Sequence, residues 1–286
     1  MKITPTNCCL FLAIAALSVS CTPNGNHDNP PAVQPAQQEI KITGAATPYP
    51  AMKVLATAYG ANTNNSNITF LPSSQSASGI AGVKSGLADI GTLTRKLKSG
   101  ENDGSLVYQE LARDALVVAT NPSVTGVTNL QTEDLKAIYS GAVTNWQDLG
   151  GPDATIVVLD RPEDESAKRL LRQHYLGKEL KNSPEVVILR HEKELIATIQ
   201  NTPHSIGAFS LAYAISNQLP VNRLRLNGVE PTSANVQSGK YPMVRTLALV
   251  WSPTLSDDTQ KFLDFTFSET GAKHLLNSGF VPSSKN

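Results

Sequence analysis

The sequence predicts an α/β protein built on mostly parallel sheets. Short β-branched or apolar runs alternate with helix-period segments from residue 40 to the C-terminus, the pattern of chains whose strands are covered by helices. "ALVVAT" (115–120) is apolar throughout, as strands buried on both faces are. The helical segments also carry their own punctuation. "TEDLKAIYSG" has acids in its first turn and Gly141 as a stop, which suits the helix dipole and a left-handed terminal residue.

Residues 40–42 read as the first strand, 44–47 as a turn, and the next helix carries Pro50 in its first turn, where a missing N–H costs nothing. "NITFLPSS" is the second strand. In "SGIAGVKSGLADIG", Ile80, Val83 and Leu87 share one helical face, and a short strand follows at 89–92. Thr132 is the expected N-cap of its helix. "ATIVVL", "EVVIL", "SIGAFS" and "MVRTLALVW" read as further strands, with helices near 166–176 and 192–200. A last helical region, "SDDTQKFLDFTFSETGAKHLLNSG", precedes "FVPSS". There is no internal repeat.

Lys+Arg and Asp+Glu are both 24, so no net field favours nucleic acid or a membrane surface. All three cysteines, Cys8, Cys9 and Cys21, fall in the first 21 residues. Lys2, the apolar run "CCLFLAIAALSV" and the small residues up to Cys21 make a secretory signal over 1–20. "LSVSC" resembles a bacterial lipoprotein signal, with Cys21 as the lipidated first residue; simple cleavage near Ser20 is the alternative. The run is shorter than the ~20 residues a spanning helix needs. Residues 21–38, rich in Pro, Asn and Gln, form a flexible tether. A mature chain with no thiol beyond Cys21 has neither disulfide nor cysteine-ligated zinc.

Catalytic patterns fail on inspection. "HEKEL" (191–195) ends in Leu195 where a zinc helix needs its second histidine. No G-x-S-x-G elbow occurs, and Ser166 and Lys168 in "ESAKR" are two residues apart instead of three. The chain is therefore expected to be no enzyme and to hold no cofactor or metal.

In such sheets ligands sit at the carboxyl ends of strands, so the loops there are the candidates. Loop one, "TGAATPYP", has Gly44, Ala45 and Ala46, small enough to let backbone approach a ligand, and Thr47 at a helix start. Free N–H groups and the helix dipole there favour an anion, although Thr47 also fits a plain N-cap. Loop two, "PSSQSASGIAG", presents Ser73, Ser74, Ser76 and Ser78, neutral donors for an oxyanion or an ordinary Ser-rich cap. Loop three, "TLTRKLKSGE", places Thr94 and Arg95 after a strand, with Lys96 and Lys98 facing solvent. A fourth stretch, "VVLDRPEDESAKRLL" (157–171), sets Arg161 and then Glu163, Asp164 and Glu165 before a helix.

The order "GAATPYP", "SGIAGVKSGLADIGTLTRKLKSGE", "LQTEDLKAIYSGAVTNWQDLGGPDATIVVLDR", "SIGAFSLAYA", "YPMVRTLALVW" and "FLDFTFSETGAKHLLNSGFVPSS" resembles the periplasmic phosphate-binding proteins of bacterial phosphate ABC transporters. "YSGAVTNWQDLGG" is the most specific stretch, and the resemblance covers about residues 40–284. It implies a two-lobed type II periplasmic-binding-protein fold with two hinge crossovers. Residues 39–119 plus 211–286 would form one lobe and 120–210 the other, with hinges near 119–122 and 209–213. It implies an extracytoplasmic solute-binding component of an ABC importer, holding phosphate or a related tetrahedral oxyanion between the lobes. The partners would be that anion, a permease in the inner membrane and, through a lipid anchor alone, a membrane of the periplasm or cell surface. The chain would be a monomer that binds no nucleic acid.

By position, Thr47 and Ser76 resemble the family's loop hydroxyls, with Ala46 and Ser78 beside them. Thr94 stands where members have Asp or Ser, and Arg161 resembles the anion-pairing arginine, whose planar fork suits an oxyanion. Two features depart from the pattern. Pro48 has no N–H where one normally reaches the ligand. The family's "GSGT" turn is "DESA" here, with Glu165 for serine, Ser166 for glycine and Ala167 for threonine. Like charges ~4 Å apart repel by about 4 kcal/mol near a surface, so Glu165 would modulate any anion. Three outcomes are open: Glu165 turns outward and leaves Ser166 and backbone N–H groups free; it stays protonated and donates; or tight phosphate binding is lost. The last would leave a lipoprotein with a signalling or scaffold role or another ligand.

Overall fold

The computed structural model describes residues 39–63 and 67–283. The expected leader (1–20), the expected tether (21–38) and the expected lipidation site Cys21 lie outside the described residues. In chain order the elements are β1 (Ile40–Gly44), α1 (Tyr49–Thr63), β2 (Ile68–Phe70), α2 (Ser76–Lys84), β3 (Ile90–Leu93) and β4 (Val107–Thr120). Next come β5 (Asn129–Leu130), α3 (Thr132–Ser140), β6 (Val157–Asp160), α4 (Ser166–Leu171), β7 (Val187–Ile188), α5 (Glu192–Asn201), β8 (Ser205–Ser210) and α6 (Leu211–Ser216). The chain then forms β9 (Asn222–Arg223), β10 (Arg225–Leu226), α7 (Ser233–Gln237), β11 (Val244–Trp251), α8 (Asp257–Thr266), α9 (Glu269–Asn277) and β12 (Val281–Pro282).

The main sheet runs β2-β1-β3-β11-β4-β8-β6-β7. It is parallel on both flanks, where β1 joins β2 and β3, and β6 joins β7 and β8. Its middle is antiparallel, because β11 and β4 run against each other and against β3 and β8. The parallel flanks are the helix-crossover segments that the alternation predicted. β4 is the long element: its first part pairs with β11 up to Ala115 and its last part with β8 from Leu116 to Thr120. The chain thus changes partner several residues before the expected hinge at 119–122, and Ala119 and Thr120 remain in the ladder with β8.

Packing separates into two main apolar clusters. One gathers Ile42, Met52, Leu55, Leu249 and Phe262; the other gathers Val117, Tyr139, Trp146, Leu195 and Phe209. Each fully buried aliphatic or aromatic side chain stabilises by about 1.5–3 kcal/mol, so both clusters are substantial. Leu224, Leu226, Val236, Tyr241 and Met243, expected in the first lobe, pack in the second cluster. They get there because β9 pairs with the end of β4 and β10 with β5.

Local readings differ at three places. Leu87 lies beyond the end of α2 and is 61% exposed, while Ile80 and Val83 are buried. Gln131, not Thr132, precedes α3: the Asp134 carboxylate accepts the Gln131 N–H at 2.7 Å, and the Thr132 N–H donates to Asn227 Oδ1 at 2.9 Å. The last helical region is two helices, because the Ser268 hydroxyl accepts the Gly271 N–H at 3.1 Å and starts α9 afresh. Pro50 sits in the first turn of α1, and Gly141 ends α3 at φ 78°, both as read.

Candidate functional site

β1 and β3 run side by side, so their carboxyl ends open at one edge. Gly44 ends β1 with φ +121°, a conformation side chains disfavour. A Cβ there would meet Thr92 O at 2.4 Å and the Gly79 Cα at 2.9 Å. That close approach brings loop one against α2 and β3. The Ala45 N–H donates to Thr92 O at 2.9 Å, the Thr92 hydroxyl donates to Thr43 O and Ala45 O at 3.1 and 2.9 Å, and the Ser74 N–H donates to Gly44 O at 2.7 Å. Loops one, two and three are therefore stitched together by main-chain bonds.

On this frame Ser76 opens α2 and is buried; its Oγ accepts the Thr94 N–H at 3.1 Å and lies 3.4 Å from Thr94 Oγ1. Two predicted site residues are thus in direct contact. Ala46 is exposed and Thr47 half-buried between β1 and α1, while Pro48 is buried. Ser78 is exposed on the first turn of α2. Arg95 is committed elsewhere: its guanidinium holds the Glu101 carboxylate with bonds of 2.6 and 2.8 Å, which pull Glu101 down to about 2. The groups offered at this edge are neutral.

The cation stands at the carboxyl end of β6, a parallel strand of the opposite flank. Arg161 is 7% exposed. Its Nη1 donates to Leu189 O at 3.0 Å and its Nη2 lies 3.2 Å from Glu165 Oε2. Glu165 precedes α4 in extended conformation and sits on the guanidinium; it does not turn outward. Ser166 is half-buried and Ala167 buried behind it. Glu163 is spent locally: it grips Arg172 through two 2.6 Å bonds, which lower its carboxyl, while the main-chain carbonyl of Asp164 accepts from Arg169. Two carboxylates of the acidic triplet, Glu163 and Glu165, therefore serve arginines of their own segment.

Asp160, Lys168 and Asn182, which the sequence reading missed, lie behind Arg161. Lys168 is 1% exposed and bonds to Asp160, itself 3% exposed. A lysine in the first turn of a short helix carries no signal of burial, because its partner is set by β6 and a loop fourteen residues on.

No hydrogen bond or ion pair joins Thr47, Ser76 or Thr94 to Arg161 among the described residues. A groove of about 990 Å³ lies elsewhere, beside Tyr108, Arg113, Phe267 and Leu276, and none of the predicted site residues lines it. Among the described residues no His, Cys, Asp and Glu cluster could hold a metal, and no helix is long and apolar enough to cross a membrane. One flank thus presents hydroxyls and main-chain amides, and the other an arginine partly neutralised by Glu165.

Two α/β cores joined through shared strands, with polar loops at strand ends on both flanks, define the two-lobed type II periplasmic-binding class of solute-binding fold. The model of a PBP superfamily domain matches residues 29–270, and the chain belongs to that superfamily. It is 28% identical over 280 residues to the phosphate-binding protein PstS of Borreliella burgdorferi, covering 95% of this chain and 96% of that protein. Among solved structures it is similar to a substrate-binding protein from Clostridium perfringens, assigned to a phosphate ABC transporter and holding bound phosphate. The identity is 26%, the TM-score 0.70, and the match covers 86% of this chain and 100% of the other. An ABC-type phosphate transport receptor from Vibrio cholerae is 26% identical with a TM-score of 0.62, over 85% of this chain and 99% of the other.

Proposed function

We propose that this chain is the extracytoplasmic solute-binding component of an ABC importer, that it binds inorganic phosphate, and that it passes the anion to a membrane permease. The observation that carries the reading is the joined pair Ser76 and Thr94 at one sheet edge, where the loop holding Thr47 leaves β1, together with the buried Arg161 at the other. The near full-length likeness to proteins named for phosphate supports it. Neutral hydroxyls and amides suit a dehydrated oxyanion because they donate without adding charge, and Arg161 adds one charge-assisted contact. Closure of the lobes would follow as a population shift toward the state that contacts the anion from both sides. Anchoring through a lipid on Cys21 belongs to the same proposal and rests on "LSVSC".

Calorimetric titration of the purified chain with phosphate, arsenate and sulfate tests it. Micromolar or tighter phosphate binding, ~8 kcal/mol or more, supports import. Absence of binding to every one of the three would overturn it in favour of a binding-fold lipoprotein with another role.

A further inference from the structure

We propose that Asp160 is a positioning residue for the anion site, held by the buried Lys168 and Asn182, and that it sets the place of Arg161 before any ligand arrives. The inference rests on the reading of Arg161 as the anion-pairing arginine and deepens it.

Asp160 closes β6 with both carboxylate oxygens in use. Oδ1 accepts the main-chain N–H of Arg161 at 2.8 Å. Oδ2 accepts the Asn182 amide at 2.8 Å and the Lys168 ammonium. The main-chain carbonyl of Asp160 accepts the Leu189 N–H at 2.9 Å, and Leu189 O in turn accepts Arg161 Nη1 at 3.0 Å. Arg161 is thus gripped at its backbone and at its guanidinium by groups that Asp160 orders.

Lys168 completes the clamp from α4. Its ammonium also donates to Asn182 Oδ1 at 3.1 Å, lies 5.0 Å from the centre of the Tyr139 ring and is 3.9 Å from Glu163 Oε1. The ion pair joins residues 160 and 168, so the segment carrying Arg161, Glu165 and Ser166 is pinned at both ends. Stability does not explain this choice, since a well-packed apolar pair commonly serves as well as a buried ion pair. Apolar side chains could fill the volume, but they could not accept an N–H. Direction is what the carboxylate adds. A guanidinium already in place loses less freedom when the anion binds, and affinity gains from that order.

Two doubly neutral variants separate placement from stability. Asp160→Asn with Lys168→Met keeps an oxygen for the Arg161 N–H; Asp160→Leu with Lys168→Met removes it and puts an apolar side chain of similar length in its place. Phosphate affinity is expected to stay within about three-fold of the wild type in the first and to fall at least about ten-fold in the second. The resolved guanidinium NMR signals of Arg161 in ligand-free protein should persist in the first and average in the second. Equal affinities in the two variants, or affinities that simply track their melting temperatures, overturn the proposal. If the second variant fails to fold, the Arg161 signals of the first decide alone: their loss there overturns it. If the wild type binds no phosphate while the Arg161 signals still differ between the variants, the phosphate reading fails and the positioning role stands.

Discussion

Glu165 lies 3.2 Å from the guanidinium that would greet an anion, with 43% of its side chain exposed. An incoming oxyanion must share Arg161 with this carboxylate or displace it. Full repulsion between unit charges at ~4 Å is about 4 kcal/mol near a surface. Solvent reaches Glu165, so it can swing aside and much of that penalty is screened. We expect Glu165→Ser to bind phosphate at least about ten-fold more tightly than the wild type, ~1.4 kcal/mol. Titration calorimetry checks it, and unchanged affinity would mean that the carboxylate leaves the site without cost. The position of Glu165 was legible in the sequence from the "DESA" turn. Its orientation was not, because that depends on where β6 delivers Arg161.

At the scale of elements, the site depends on how closely α2 sits on loop one. A Cβ at Gly79 would meet Thr92 O at 2.9 Å and the Gly44 Cα at 3.1 Å, and neither atom belongs to a movable side chain. Gly79→Ala should therefore push α2 away, costing ~1–3 kcal/mol, and weaken phosphate binding with it. Urea unfolding and titration of the same sample test both halves; wild-type values for both would refute the close contact. The loop after β3 is pinned differently, by Glu101 on Arg95, with Glu101 held down to about 2. A carboxyl lowered by folding stabilises the fold above its unfolded value of about 4.3 and surrenders that stability as pH falls toward the folded value. The melting temperature of the wild type should drop more steeply between about pH 5 and 2 than that of Glu101→Gln; parallel curves would remove Glu101 from the acid response.

For the whole molecule, the decisive place is where β4 leaves β11 for β8. Asp114 on β4 faces Arg245 on β11, accepts the Ser210 hydroxyl at 2.9 Å, and shares Arg245 with Glu192 of α5, which is 3.4 Å away. One ionic cluster therefore ties together the strands that pass between the two cores. Burial pushes the Asp114 carboxyl up, against the pull of Arg245. Removing the guanidinium leaves that charge buried and unpaired, so Arg245→Met should destabilise by about 3–5 kcal/mol. The double variant Asp114→Leu with Arg245→Met should lose much less. Chemical denaturation reads both, and an equal loss in the two would show that packing, not charge, holds the crossover.

The sequence by itself determined the α/β class, the longer strands, most helices and the place of four candidate loops at strand ends, because periodicity, caps and small residues act over a few positions; the two-residue strands β5, β9 and β10 carry no such local signal. Tertiary structure alone decided that the middle of the sheet is antiparallel, that β4 serves both cores, that residues 219–243 pack with the second of them, and that Lys168 is buried on Asp160. These facts depend on which distant strands become neighbours. No local pattern reports that, since pairing and burial are settled by the whole chain closing on its cores.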